Sequence, residues 1–302
     1  MTHASSPIPK GAAVLSRFPL LIHLSLLLTA MIWGVTFVAV KYVVERNGPE
    51  GVVLLRAGLS SLCFIVLLGV TWKTVPRLPA SVWRRLVVIA ICGSVINNVA
   101  LALGQSYLAA ALASLIATSN PIFTVIISRL LLGEPLTRRK LTGIAIAFTG
   151  FLIVLLWGGS NASFSVNNAL GILILLTAPL GWAVYTVLSK PLLAEYEPHV
   201  VAGLTTILGA LMLTPGLLFF PNVVSDTAGL TWRGWLAAGT MSVLAIFVAY
   251  TLWYRGLRQL QPTQVAVYIY LVPFFGVLSA WLLLGETITI WLLLGGATIL
   301  SG

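Results

Sequence analysis

Two tryptophans, Trp33 and Trp182, stand in the middle of long apolar runs, each followed three residues on by a hydroxyl, Thr36 and Tyr185. That spacing puts indole and hydroxyl on one face of a helix. An indole face attracts an aromatic ring or an ammonium, and a hydroxyl donates and accepts, so the two faces together could line a cavity for a small organic solute. The ordinary alternative is helix packing, with the hydroxyls bonded back to the backbone. Asn97, Asn98 and Gln105 lie in a third apolar run, and Tyr250, Trp253 and Tyr254 in a fourth. An amide in hydrocarbon without a partner costs about several kcal/mol, so these groups face each other or an enclosed polar space. Thr118 and Tyr270 each precede a mid-run proline, Pro121 and Pro273. Each proline deletes a helical donor, clashes one turn back and frees the carbonyl of Ala117 or Ile269, which makes a static kink or a hinge. The expected solute contacts are Trp33, Thr36, Asn97, Asn98, Thr118, Trp182, Tyr185, Tyr250, Tyr254 and Tyr270, with Pro121 and Pro273 as hinges.

Catalysis is not expected. The acids Glu45, Glu50, Glu134, Glu195, Glu197, Asp226 and Glu286 all fall at or beyond the ends of apolar runs, as do His3, His23 and His199. No nucleophile–base pair, metal-ligand set or phosphate-cradling loop can be assembled, so no cofactor or metal is expected. Cys63 and Cys92 lie inside apolar runs and read as small buried hydrophobes. Proton-coupled carriers commonly hold an ionisable relay inside the membrane. None is evident here, which favours a facilitator. Lys41, Arg56, Lys190 and Arg255 sit near run ends, where long basic side chains ordinarily reach back to headgroups. Trp72, Trp83, Trp157, Trp232, Trp235, Trp253, Trp281 and Trp291 are placed as interfacial belts would be. Asn161-Ala162-Ser163 is a formal glycosylation sequon and carries little weight.

These residues are positioned by a duplication. Pro121 to Thr137 (PIFTVIISRLLLGEPLT) aligns without a gap on Pro273 to Thr289 (PFFGVLSAWLLLGETIT), and Trp33, Lys41 and Pro49 match Trp182, Lys190 and Pro198. Glu134 and Glu286, which close the aligned Leu-Leu-Leu-Gly-Glu runs, read as helix caps. Hydrophobic residues make up 59% and charged residues 8% of the chain, and the mean hydropathy is +1.04, which no soluble domain could solvate. Apolar runs of roughly 20 residues recur throughout. The expectation is an all-α polytopic membrane protein of about ten transmembrane helices. A tail at 1–19 precedes a first repeat at 20–158, and a second five-span repeat at 168–302 has its last span truncated. Of seventeen Lys and Arg, only Lys41, Arg46, Arg56 and Arg233 fall in outer segments when the N-terminus is placed inside. Both termini are therefore expected in the cytoplasm, and an odd number of spans per copy inverts the second. The net charge of +10 lies in short loops between apolar runs, so nucleic acid is not an expected partner; membrane lipid and a small-molecule substrate are.

The chain resembles the ten-span EamA-type exporters of the drug/metabolite transporter superfamily. The resemblance is carried by Trp33-Gly34 with Phe37 and Lys41, by Trp182-Ala183 with Tyr185, by the two Pro…Leu-Leu-Leu-Gly-Glu tracts, and by Ala249-Tyr250 through Trp253-Tyr254 and Gly256-Leu257. It implies two inverted five-span repeats around a central cavity lined by spans one, three, four, six, eight and nine, and a bacterial inner-membrane location. Within the family, the likeness is to aromatic amino-acid exporters. The expectation is a secondary transporter that exports aromatic or other neutral amino acids, or similar small metabolites, by alternating access. The alternatives are a drug/metabolite–proton antiporter and an organophosphate or nucleotide-sugar exchanger, the latter needing Lys or Arg in the cavity. Outside transport, the alternative is a scaffold or lipid-translocating subunit.

Overall fold

A computed structural model describes residues 19–157 and 166–302 of the chain. The expected tail, the Gly158-Gly159-Ser160-Asn161 turn and the sequon at Asn161 lie outside them. All regular structure among the described residues is helical. Seven helices are long and apolar enough to cross a membrane, and the first, Leu20–Val70, is two spans in one. Its backbone turns at Gly48, whose φ of 67° only glycine adopts freely, just before Pro49. Spans one and two are therefore 19–47 and 49–70. The others are Ala80–Tyr107, Ala110–Leu132, Arg138–Trp157, Ala169–Glu195, Pro198–Gly216, Trp232–Gln259, Pro262–Leu284 and the shorter Ile290–Ser301.

The bundle is apolar outside and polar inside. Leu20, Leu130, Leu173, Leu211 and Leu282 are exposed on its surface, while Thr29, Ser60, Ser114, Thr124 and Ser189 are buried. Hydrocarbon accepts the former, and the latter turn back on their own helices, Thr29 to Ser25, Ser60 to Arg56, Ser114 to Ala111, Thr124 to Asn120 and Ser189 to Tyr185, with Ser189 also meeting Tyr254 of the eighth span. Seven of the eight tryptophans expected near span ends are exposed there, as an interfacial belt requires. Trp253, at 1% exposure, belongs to the interior instead.

The spans pair as two inverted copies must. The first packs on the eighth and ninth, the sixth on the third and fourth, and the fifth on the tenth. Close approach of the first and ninth depends on Gly34, where a Cβ would stand 2.5 Å from the Phe275 Cβ.

The Leu-Leu-Leu-Gly-Glu tracts have a common geometry. Gly133 and Gly285 end their helices in the left-handed region, at φ of 70° and 68°. The next N–H closes the turn, Glu134 onto the Ser128 carbonyl and Glu286 onto that of Ala280. Each glutamate is thereby aimed at the opposite copy. Glu286 accepts the N–H groups of Ala110 and Ala111 at 2.9 and 3.0 Å, and Glu134 Oε2 accepts from the Thr263 hydroxyl at 2.8 Å. Both glutamates thus sit at the start of the other copy's proline-broken span, where Glu286 caps backbone N–H groups while Glu134 receives the Thr263 hydroxyl and Lys140.

Lys41 and Lys190 do not reach for headgroups as expected. Lys41 Nζ donates to the Gln105 carbonyl at 3.2 Å, and Lys190 Nζ to those of Leu257, Arg258 and Leu260 at 2.7, 3.3 and 2.8 Å. Those carbonyls end the third and eighth helices, where unpaired acceptors attract a cation. Arg255 is exposed, as expected.

Candidate functional site

A cavity of about 100 Å³ lies between the two copies, walled by spans one to four, six, eight and nine. Of the residues expected to meet a solute, Trp33, Thr36, Asn97, Trp182 and Tyr250 border it. The aromatic groups form one cluster. Trp33 and Trp182 meet edge to face, with ring centres 5.3 Å apart and an interplanar angle of 86°. Tyr250 lies 4.7 Å from Trp182, and Trp253 is 4.9 Å from Trp33. These separations are those at which aromatic pairs attract through the ring quadrupole.

The eighth span holds this cluster through an irregularity. Residues Thr240–Val248 form a π-helix, and the third span has its own at Ile91–Ile96. A π-turn widens the helix and offers carbonyls to outside donors. Two side chains take them: Trp33 Nε1 donates to the Ala245 carbonyl at 2.9 Å, and Arg56 Nη1 to that of Met241 at 3.1 Å.

Arg56 corrects the expectation that basic groups stay at span ends. It is 3% exposed, lines the cavity, and donates from Nε to Asn98 Oδ1 at 2.7 Å. It lies seven residues beyond Pro49, about 10 Å along the helix, too deep for its side chain to reach back to water. Asn98 is correspondingly occupied. Its oxygen takes Arg56 and its Nδ2 donates to the Ser94 carbonyl at 2.6 Å, so it positions the guanidinium and does not border the cavity.

The remaining expected contacts stand behind the wall. Tyr185 is stacked on Trp182 at 4.6 Å, with its hydroxyl 3.5 Å from Thr205 Oγ1, and the Tyr254 hydroxyl is 2.8 Å from Ser189 Oγ. Thr118 donates to the Leu115 carbonyl, and Tyr270 is buried without bordering the cavity. Thr36 borders it, but its hydroxyl returns to the Ile32 carbonyl at 2.7 Å.

The prolines do break their spans. The fourth is divided into Ala110–Ala117 and Asn120–Leu132, and the ninth passes through a 3-10 turn at Val267–Leu271 before Val272–Leu284. The Ile269 carbonyl is not free, because this tightened turn brings the Val272 N–H to it. Asn120, at the fourth-span break, went unremarked in the sequence. Its Nδ2 donates to the Pro179 carbonyl at 2.8 Å, as that of Asn97 does to Ala178 at 3.1 Å. An Asn-Pro pair inside an apolar run was the available signal.

A larger cavity, about 390 Å³, lies between spans two, three and seven. Its lining is mostly apolar, including Val53, Leu54, Ile65, Val99 and Ile207, with Glu50, Ser61 and Thr214 its few polar members. The smaller cavity, at the repeat interface and bordered by Arg56, Asn97, Asn120 and the two indoles, is the better candidate.

Comparison with known proteins decides the family. The EamA-like transporter family model matches residues 20–156 and again 169–302. The chain belongs to the EamA-like transporter family. It is a transporter and not an enzyme. An uncharacterized transporter of Archaeoglobus fulgidus is 30% identical, covering 93% of this chain and 95% of its own. A protein of Streptantibioticus cattleyicolor named probable terminal-alkyne amino-acid exporter is 27% identical, covering 92% and 90%. One of Salmonella typhimurium named probable amino-acid metabolite efflux pump is 25% identical, covering 91% of each. A solved crystal structure, 20% identical, superposes with a TM-score of 0.69 over 91% of this chain and 93% of that one, a likeness of fold. Within the family frame, the two matched segments are the two copies whose interface holds the cavity.

Proposed function

We propose that this EamA-family member is a secondary transporter that exports amino acids, aromatic or otherwise neutral, or similar small metabolites across a bacterial inner membrane. The observation that carries the reading is the aromatic and amide-bordered cavity between the inverted copies, with Trp33 and Trp182 on its wall. Two relatives named for amino-acid or amino-acid-metabolite export support the substrate class. At about 100 Å³, the cavity is smaller than the roughly 300 Å³ and upward usual for small-molecule sites. Admission of a solute therefore requires the copies to move apart, as alternating access does, with the breaks at Pro121 and Pro273 as hinges. All seven acids lie away from mid-span positions, which supports uncoupled facilitation. The termini then lie in the cytoplasm, on the Lys and Arg distribution.

The test is uptake of a labelled amino-acid panel into liposomes containing only this protein, with and without a pH gradient. Neutral amino-acid flux that ignores the gradient and falls with Trp33→Ala and Trp182→Ala is expected. Gradient-dependent flux would replace facilitation with proton antiport, and no amino-acid flux would overturn the substrate class. Arg56 at the cavity favours one second reading, the organophosphate exchanger. A single guanidinium balances a monoanion better than a phosphate dianion, which leaves amino-acid export ahead.

A further inference from the structure

We propose that Arg56 is the carboxylate-binding residue of this transporter, so that the cavity accepts solutes carrying a carboxylate and rejects amines of the same shape that lack one. The inference rests on reading the central cavity as the transport site.

A guanidinium is costly to hold inside a membrane protein and is ordinarily paired there with a carboxylate. Among the described residues, the ion pairs are Lys41–Glu45, Lys140–Glu134 and Arg258–Glu197, and Arg56 is in none of them. Its acceptors, Asn98 Oδ1 and the Met241 carbonyl, are both neutral, and its other near neighbour is the Tyr250 phenol. They hydrogen-bond the group and fix its plane without cancelling its charge. With five N–H donors, the guanidinium has more than these acceptors consume.

A residue of the same wall carries a second unpaired donor. Trp182 is 6% exposed, and its Nε1–H has no acceptor in the protein, whereas the repeat-related Trp33 donates to Ala245. A buried donor left unpaired carries a desolvation cost that an acceptor in the cavity removes. Thus an uncompensated cation and an indole whose N–H is unspent belong to the wall of one compact cavity, and an anionic oxygen pair entering it answers the cation. Asn97 and Asn120 donate instead to backbone carbonyls of the sixth span, so their amides do not compete for it. The aromatic wall then receives the body of the solute.

The experiment compares phenylalanine, phenethylamine and 3-phenylpropionate in liposomes containing the full chain. Flux and binding, the latter followed by tryptophan fluorescence, are both recorded. Phenylalanine and 3-phenylpropionate should bind, and phenethylamine should bind about tenfold or more weakly. Arg56→Gln should erase that difference, and Arg56→Lys should keep part of it. Trp182→Phe, which keeps an aromatic face but loses the N–H with part of the indole, should weaken both carboxylates by a larger factor than phenethylamine. This wild-type series and the Trp182 variant keep the test decisive even where Arg56→Gln does not fold. Equal handling of phenylalanine and phenethylamine by the native protein would overturn the role of Arg56 while leaving amino-acid transport intact. Binding of 3-phenylpropionate without flux of any amino acid would overturn the proposed function and retain the carboxylate site. Preference for inorganic phosphate over every carboxylate would overturn both.

Discussion

Glu286 accepts the backbone N–H of Ala110 at 2.9 Å, although 176 residues separate them and they belong to different repeats. With the Ala111 N–H on its other oxygen, one carboxylate caps a helix that its own copy does not contain.

Removing that carboxylate leaves two helix-terminal donors without their charged acceptor. Glu286→Ala should therefore lower stability by about 1–2 kcal/mol. Glu286→Gln should recover part of the loss, because its amide oxygen still accepts one bond. Thermal unfolding of the purified protein in detergent measures both, and an unchanged Tm for Glu286→Ala would contradict the cap.

Lys190 and Lys41 occupy equivalent positions but serve unequal numbers of carbonyls, three against one. Lys190→Met should consequently destabilise more than Lys41→Met, by about 1–3 kcal/mol against 1 kcal/mol or less. Equal shifts in Tm would mean that the cation acts only as a distant charge on the helix end.

Gly93 faces the ring of Tyr185 so closely that a Cβ there would stand 1.9 Å from Cδ2. Gly93→Ala must displace Tyr185, and with it the stacked Trp182, at about 1–3 kcal/mol. Gly58, with nothing within 4 Å of its added Cβ, is the control. Gly58→Ala should be neutral or slightly stabilising through helix propensity. Tm and tryptophan fluorescence together read the difference.

Asn98 acts on Arg56 and not on the solute. Asn98→Leu should therefore weaken binding of phenylalanine several-fold while leaving that of phenethylamine nearly unchanged. Equal losses for the two ligands would assign Asn98 to general packing.

Much of this architecture can be read in the primary structure because membrane spans announce themselves by length and hydropathy, and a duplication by self-similarity. The Trp33–Trp182 pairing is of that kind, since symmetry singled out both. Arg56 escaped because it has no such partner. At the offset that sets Pro49 on Pro198 its counterpart is Thr205, and its acceptors lie on spans three and eight, far away in sequence. Trp253 was misplaced because its position in the eighth span resembles an interfacial one, and only the tertiary pairing with Trp33 brings it inside. The π-helical stretches also left no periodic signature, since their extra residue per turn rotates everything downstream. The direction of Tyr250 therefore could not be projected from an ideal helix.

The cap that Glu286 places on the fourth span has a consequence in time. The ribosome adds roughly 5–20 residues per second, so Glu286 follows Ala110 by roughly 9–35 s of synthesis. Throughout that interval the start of the fourth span must be solvated by water, lipid headgroups or an insertion factor. The N-terminal half is thus an obligate intermediate in which the first turn of the fourth span is capped only once the ninth span has been made, and slowing elongation through the ninth span should prolong its exposure to membrane proteases.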